Sequence, residues 1–391
     1  MLTQTQLTEK DNIRLTDSDS DLSMYSYIKC NEDDTDFIKK CRGLIFGGDE
    51  LIVPSFGWTA EYTMDDKVKL TTLMHDAADV NIFDSHEGCL LRVYNFNSKW
   101  YVSTHRKLDA FKSRWSSTKY WGGMFEESLT TDLETLFATL DETKIYFFVV
   151  RNNEENRIVC KAPESATVYH VGTMYKENEE WITVFDEDIG IQHPVQHSVT
   201  DLDTLISYVE ANGFENIQGL IIFTKNTIFK LCNKQYHDFL LTRGNESSIK
   251  FRYLQVRMNR KNREMLAFLY PQYVPEFEKY ETHIYKIAAA LTHAYILRFV
   301  RGEWKQVAKL EYETIIRPLR EWYLQDTKNN LISLEIVIQK LNEQSPKFLN
   351  KLIRRAKTNQ TIGANYKFNN YTKRLLGRGF GNNFTAKKIE I

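Results

Sequence analysis

Cysteine is scarce and scattered: Cys30, Cys41, Cys89, Cys160 and Cys232 form no C-x-x-C pair, and their number is odd. That spacing supplies neither a disulfide framework nor a zinc knuckle and fits reduced thiols. With no disulfide-forming compartment implied, the sequons at Asn245, Asn359, Asn370 and Asn383 carry no glycosylation reading. Long apolar runs are missing too, none approaching the roughly 18 to 20 residues that cross a bilayer. The opening stretch MLTQTQLTEKDNIRL lacks the basic-then-apolar pattern of a secretory signal. The expectation is a cytoplasmic or nuclear protein without membrane contact. Internal repeats are absent, as is an excess of one charge: 51 Lys and Arg stand against 52 Asp and Glu, a net −1, so nothing global attracts a polyanion.

What is present divides by region. Glu9 to Asp36 holds nine acidic residues and three basic ones, whereas Pro346 to Ile391 holds eleven Lys and Arg against Glu390 alone. Up to about Ile249, short β-rich runs alternate with turn residues: GLIF, ELIVPSF, GCLLRVYNF, KWYVSTH, KIYFFVV, NRIVCKA, ATVYHVG, WITVFD, GLIIFT and TIFKLC. DTLISYVEANG reads as an intervening helix closed by Gly213. Beyond Tyr253, Phe277, Tyr280, Ile284, Ile287, Leu291 and Tyr295 recur at helical spacing, and Val307 to Leu324 and Leu331 to Leu341 show similar faces. The fold class expected is α+β: an antiparallel-sheet domain over residues 1–252, an all-helical domain over 253–345 and an extended basic tail over 346–391.

The order of motifs in the first domain is informative. KCRGLIF (Lys40 to Phe46) is followed by LIVPSFGWTAEYT, by SHEGCLLRVYNFNSKWYVSTHRKLDAF from Ser85, and by FFVVRNNEENRIVCK from Phe147. VYHVGT, IQGLIIF, FKLCNKQYHDF and IKFRYLQVR complete the series. In order and spacing this ladder resembles the bacteriophage tRNA-repair RNA ligase family and its relatives in large DNA viruses, whose first domain is an adenylyltransferase fold followed by a helical domain. The resemblance implies ATP-dependent adenylyl transfer to a lysine, glutamates that hold ribose or metal, and paired lysines that neutralise phosphates.

The chemical residues depart from that pattern. Where the resemblance implies a nucleophilic lysine before an acid and a glycine, the chain has Ser85-His86-Glu87-Gly88, and a serine hydroxyl is not ionised at neutral pH without a base beside it. A glutamate position falls on Val149 or Val150, a second acid is Gln218, and a phosphate-binding lysine position is Cys232. Arg42, Gly43, Gly88, Asn156, Arg157, Gly219, Lys230 and Tyr236 sit where the resemblance expects them. The expectation is a catalytically degenerate, RNA-ligase-like viral protein that serves as an RNA-binding or structural module in host cytoplasm or virion. Arg42, Glu87, Gly88, Arg157 and Lys230 would be remnants of a nucleotide or anion pocket. Two alternatives stay open: an active ATP-dependent RNA ligase with a relocated nucleophile, which alone would need ATP and Mg, and a virion or assembly protein with protein contacts only.

Other features read more plainly. Lys99 lies in a hairpin turn; Lys107 and Lys230 are the stronger candidates for phosphate contact. His86 and His105 have no third metal ligand at suitable spacing, and HPVQH at His193 to His197 reads as loop. Ser85 and His86 cannot form a nucleophile pair, since adjacent strand residues point to opposite faces. GRGFGNN lacks the preceding strand and following GK[ST] of a phosphate loop. Arg354, Arg355, Lys373, Arg374, Arg378, Lys387 and Lys388, interleaved with aromatics, are candidates for nucleic-acid contact.

Overall fold

The computed structural model describes residues 3–10, 12–75, 79–151, 156–225 and 227–358. Two compact units emerge, Met1–Leu241 and Thr242–Ile391. The first is α+β, and in chain order its described strands are β1 (Ile13–Ser18), β2 (Leu22–Tyr27), β3 (Arg42–Gly47), β4 (Glu50–Val53), β5 (Ala60–Tyr62), β6 (Asn81–Ser85), β7 (Cys89–Phe96), β8 (Lys99–Thr104), β9 (Ile145–Arg151), β10 (Thr167–Glu177), β11 (Glu180–Val184), β12 (Gln196–His197), β13 (Gly219–Phe223) and β14 (Ile228–Cys232). They form three sheets, ordered β1-β2-β3-β4, β11-β10-β9-β7-β8 and β12-β6-β13-β14-β5. Pairing is antiparallel except between β14 and β5.

Strand alternation assigns each face. In the second sheet Leu91, Val93, Tyr146, Phe148 and Val150 pack against Trp121, Met124 and Phe125 of the helix Trp121–Ser128. The intervening residues Tyr94, Ile145 and Phe147 turn the other way, onto Met24, Ile45 and Val53 of the first sheet and Phe223 and Ile228 of the third. The outer face of the third sheet (Ile82, Leu220, Ile222, Phe229, Leu231) is covered by Leu70, Leu205 and Val209 of the helices Lys67–His75 and Leu202–Asn212. Each fully buried side chain of this size contributes about 1.5–3 kcal/mol, so the layered core carries the unit. Arg92 is buried among these layers, its guanidinium donating to the carbonyls of Gly43 and Thr104, and burial lowers its pKa to about 10.

The helical unit contains Ile249–Val256, Arg260–Leu269, the long helix Val274–Phe299, Lys309–Glu311 continued through a π-turn Tyr312–Ile316 into Arg317–Gln325, and Leu334–Asn342 and Pro346–Lys357. Phe277, Tyr280, Ile284, Ile287, Leu291 and Tyr295 all lie on the buried face of the long helix. Arg257 inside this unit is paired with Glu281 at 2.6 Å, and the Tyr253 hydroxyl donates to the same carboxylate.

Three sequence expectations change. NRIVCKA forms no strand; its backbone from Arg157 to Cys160 is irregular because its amides bond a side chain instead of a ladder. The segment read as extended from residue 346 begins with the helix Pro346–Lys357, capped by Ser345 and buried through Leu349, Leu352 and Ile353. IKFRYLQVR, placed in the first domain, is helical and lies in the second unit.

Candidate functional site around Ser85

Ser85 ends β6, where it pairs with Gly219 of β13, which in turn pairs with Cys232 of β14. The next row joins Phe83, Ile221, Lys230 and Glu61 across β6, β13, β14 and β5. Because opposed residues in neighbouring strands share a face, Ser85, Cys232, Lys230 and Glu61 all project from the same side of the sheet. Gly219 makes this possible. Its φ is +147°, and a Cβ there would lie 2.0 Å from the Leu231 carbonyl oxygen, a conformation and an approach open to glycine alone.

The polar groups on this face form a closed network. Ser85 Oγ donates to Gln218 Oε1 at 2.9 Å, and Lys230 Nζ donates to the same oxygen at 2.8 Å. Gln218 Nε2 donates to the Tyr236 hydroxyl at 2.9 Å. Glu61 Oε1 lies 3.4 Å from Lys230 Nζ. Ser85, Gln218 and Tyr236 are buried, Lys230 nearly so. Cys232 beside them is held protonated, its pKa pushed up to about 12 by burial and by the Glu61 carboxylate, against a smaller opposing pull from Lys230.

Glu87 is turned onto the segment from Arg157 to Cys160. Its carboxylate accepts the backbone N–H groups of Ile158, Val159 (2.9 Å) and Cys160 (2.9 Å). Arg157 donates to the carbonyls of Cys160 and Val159, locking the same turn from the other side. Gly88 is required by close approach: a Cβ would stand 2.6 Å from the Val150 carbonyl oxygen and 2.7 Å from Val149 Cγ1. Val149 therefore faces this edge of the site, while Val150 is buried in the opposite core with Phe148. Of the two registers, it is Val149 whose side chain stands against Gly88.

The remaining candidates are dispersed. Arg42 reaches the Gly57 carbonyl at 3.5 Å. Lys107 is paired with Asp17 at 3.1 Å. Arg354 is exposed and Arg355 lies 3.5 Å from the buried Glu311. Lys373, Arg374, Arg378, Lys387 and Lys388 lie outside the described residues. His86 is stacked on Tyr169 at 4.3 Å, and burial with Arg151 nearby lowers its pKa to about 4. His105 lies elsewhere, lowered to about 3 by burial and by Arg42, Arg106 and Arg92. Among the described residues no group of three or more His, Cys, Asp or Glu is arranged to hold a metal.

Two features escaped the sequence reading. Glu61, the carboxylate beside Lys230, sits on a three-residue strand whose parallel pairing is invisible locally. On the other face of β6, Asp84 accepts from His197 Nε2 (2.8 Å) and the Tyr208 hydroxyl (3.0 Å), tying β12 and the helix Leu202–Asn212 to the strand that ends in Ser85.

No family model matches the chain. Its sequence relatives include iridovirus proteins. It is 26% identical over 356 residues to the "Immediate-early protein ICP-46 homolog" of Invertebrate iridescent virus 6, covering 83% of this chain and 78% of that protein. The homolog of the same name in Invertebrate iridescent virus 3 is 29% identical over 303 residues, covering 74% of this chain and 65% of that protein. Among solved structures, a putative ATP-dependent DNA ligase from Aquifex aeolicus aligns with a TM-score of 0.44 and 13% identity, over 68% of this chain and 71% of that one. An archaeal ATP-dependent RNA ligase aligns at 0.44 and 13%, over 68% and 69%.

Proposed function

We propose that this is a ligase-like viral protein that has lost adenylyl transfer and acts as an RNA-binding module. The observation that carries the reading is the closed network at Ser85, in which the one lysine is held by Gln218 and Glu61. Forming a phosphoramide requires an amine with a free lone pair beside the α-phosphate, and carboxylates to hold ribose and metal. Here the group at the lysine position is a buried hydroxyl whose proton is committed to Gln218. The flanking positions offer a neutral amide, the Val149 side chain and a protonated thiol at Cys232. Glu87, which could supply charge, spends its oxygens on three backbone amides. These residues do not fit a reacting nucleotide and its metal.

A second reading has its own observation. Lys230 Nζ reaches the oxygen that also binds Ser85, so one lysine does enter the site. In that reading Lys230 would be the nucleophilic amine and Glu61, 3.4 Å away, the base that takes up its proton. Incubation with α-labelled ATP and Mg or Mn, followed by denaturing electrophoresis, separates the two. No adduct is expected on the native protein; an adduct that disappears in Lys230→Ala overturns the proposal in favour of the relocated nucleophile.

A further inference from the structure

The two units differ sharply in charge. Met1–Leu241 contains 23 Lys and Arg against 39 Asp and Glu, a net −16; Thr242–Ile391 contains 28 against 13, a net +15. Within residues 242–358 the balance is 22 against 12, or +10, so the excess does not belong to the C-terminal residues alone. Many cations of this unit are neutralised, as Arg257 is by Glu281, Arg317 by Glu313 and Glu321, and Arg260 by Glu264. A group around the end of the long helix is not. Arg298, Arg301, Lys305 and Arg320 enter no ion pair among the described residues.

Arg298 and Arg320 are instead placed against aromatic rings. The Arg298 guanidinium carbon lies 4.6 Å from the ring centroids of both Trp304 and Tyr312, and 5.7 Å from that of Phe299. Arg320 lies 4.9 Å from Phe299 and 5.2 Å from Tyr323. Trp304 is 78% exposed, which leaves an indole face open to solvent beside the cations. A guanidinium held over a ring keeps its positive charge and its edge donors, while the rings present flat π-faces. Alternation of such faces with unpaired cations matches a chain of unpaired bases linked by phosphates: bases stack on rings and arginines, and phosphates take the charge.

We propose that the helical unit binds single-stranded RNA across the surface formed by Arg298, Phe299, Trp304, Tyr312, Arg320 and Tyr323. The choice of RNA over other single strands rests on the function proposed above; the surface itself rests on the charge and ring geometry. It uses none of the residues around Ser85 and none of the C-terminal basic residues that the sequence singled out. Duplex RNA, with its bases paired and stacked internally, lacks what the rings recognise and is expected to bind only through its charge.

Fluorescence anisotropy with a labelled twelve-nucleotide oligouridylate, a duplex of the same length and labelled poly-glutamate tests this on the full chain. Trp304→Ala, at an exposed position that does not threaten the fold, is expected to weaken oligouridylate binding five- to tenfold and leave the salt dependence unchanged. Arg298→Ala/Arg320→Ala is expected to weaken it at least tenfold and reduce the log–log salt slope by about 1.4, the share of two phosphate contacts on a single strand. Arg298→Lys/Arg320→Lys keeps the charge but not the planar stacking of the guanidinium, and is expected to retain the slope with a partial loss of affinity. Unchanged affinity in all three variants overturns the proposal, as does poly-glutamate binding as tightly as oligouridylate. Loss of affinity in Lys230→Ala with none in these variants places RNA in the first unit and also overturns it, while leaving the RNA-binding reading intact. An absence of RNA binding in the native protein removes both, and the adenylate assay then judges the ligase-like reading alone.

Discussion

Ser85 and Lys230 share one acceptor: both donate to Gln218 Oε1, from 2.9 and 2.8 Å. A carboxylate in place of that amide would draw Lys230 into an ion pair and set a negative charge next to whatever residue 85 carried. With the amide, the hydroxyl and the ammonium are satisfied by a neutral group, and Glu61 at 3.4 Å is left to balance the charge. The network is thus self-consistent as it stands: the side chains at 85 and 218 accommodate one another.

That coupling is measurable. Ser85→Lys alone buries an ammonium beside Lys230 and is expected to destabilise the protein by about 2–4 kcal/mol. Adding Gln218→Glu supplies the missing countercharge, so the double variant is expected to recover about 1–3 kcal/mol in a double-mutant cycle read by urea denaturation. Strictly additive effects would show that the two positions act independently.

Gly219 is the hinge on which the row depends. Alanine there meets the Leu231 carbonyl at 2.0 Å and must adopt a φ of +147°. The β13–β14 pair has to separate or shift register, and a loss of about 3 kcal/mol or more is expected. Soluble Gly219→Ala with a native-like urea midpoint would contradict this account of the site.

Glu87 tests the turn from Arg157 to Cys160. Glu87→Gln retains the shape but removes the charge that three amides donate to, with an expected cost of about 1–3 kcal/mol. Local opening should precede global unfolding, so amide exchange at Ile158, Val159 and Cys160 is expected to accelerate more than at β9. Uniform acceleration would mean that the carboxylate stabilises the unit as a whole instead of this turn.

Much of this arrangement was legible because its signals are local. The hairpin of β7 and β8 follows from alternating apolar residues around Asn97-Ser98, which take φ of +52° and +59°, and the long helix follows from its apolar spacing. Gly88 and Gly219 stand out because only glycine permits the approaches they make. What escaped depends on register and on competition for amides. Glu61 meets Lys230 only through a parallel pairing of distant strands. The run from Asn156 to Lys161 has strand composition, yet the Glu87 carboxylate claims its N–H groups before a ladder can. The basic density after Pro346 concealed Leu349, Leu352 and Ile353, whose burial makes that stretch a helix.

Three histidines make the fold acid-sensitive. His86 and His170 are held near 4 and His105 near 3, chiefly because burial disfavours the imidazolium, assisted by Arg151 at His86, by Arg42, Arg106 and Arg92 at His105, and by His193 at His170. In the unfolded chain each takes up its proton near pH 6.5. Below that point the unfolded state binds protons that the folded state refuses, so stability is complete above about pH 7 and falls as pH drops from 6.5 toward 4. The loss is roughly 2 kcal/mol per histidine at pH 5, since 1.5 pH units below 6.5 correspond to about 1.36 kcal/mol each. His86→Phe keeps a ring against Tyr169, whose centroid is 4.3 Å away, and removes one titrating group. Its urea stability should therefore fall about 2 kcal/mol less between pH 7 and pH 5 than that of the native protein. Parallel curves for the two proteins would show that His86 is protonated as readily in the folded state as in the unfolded one.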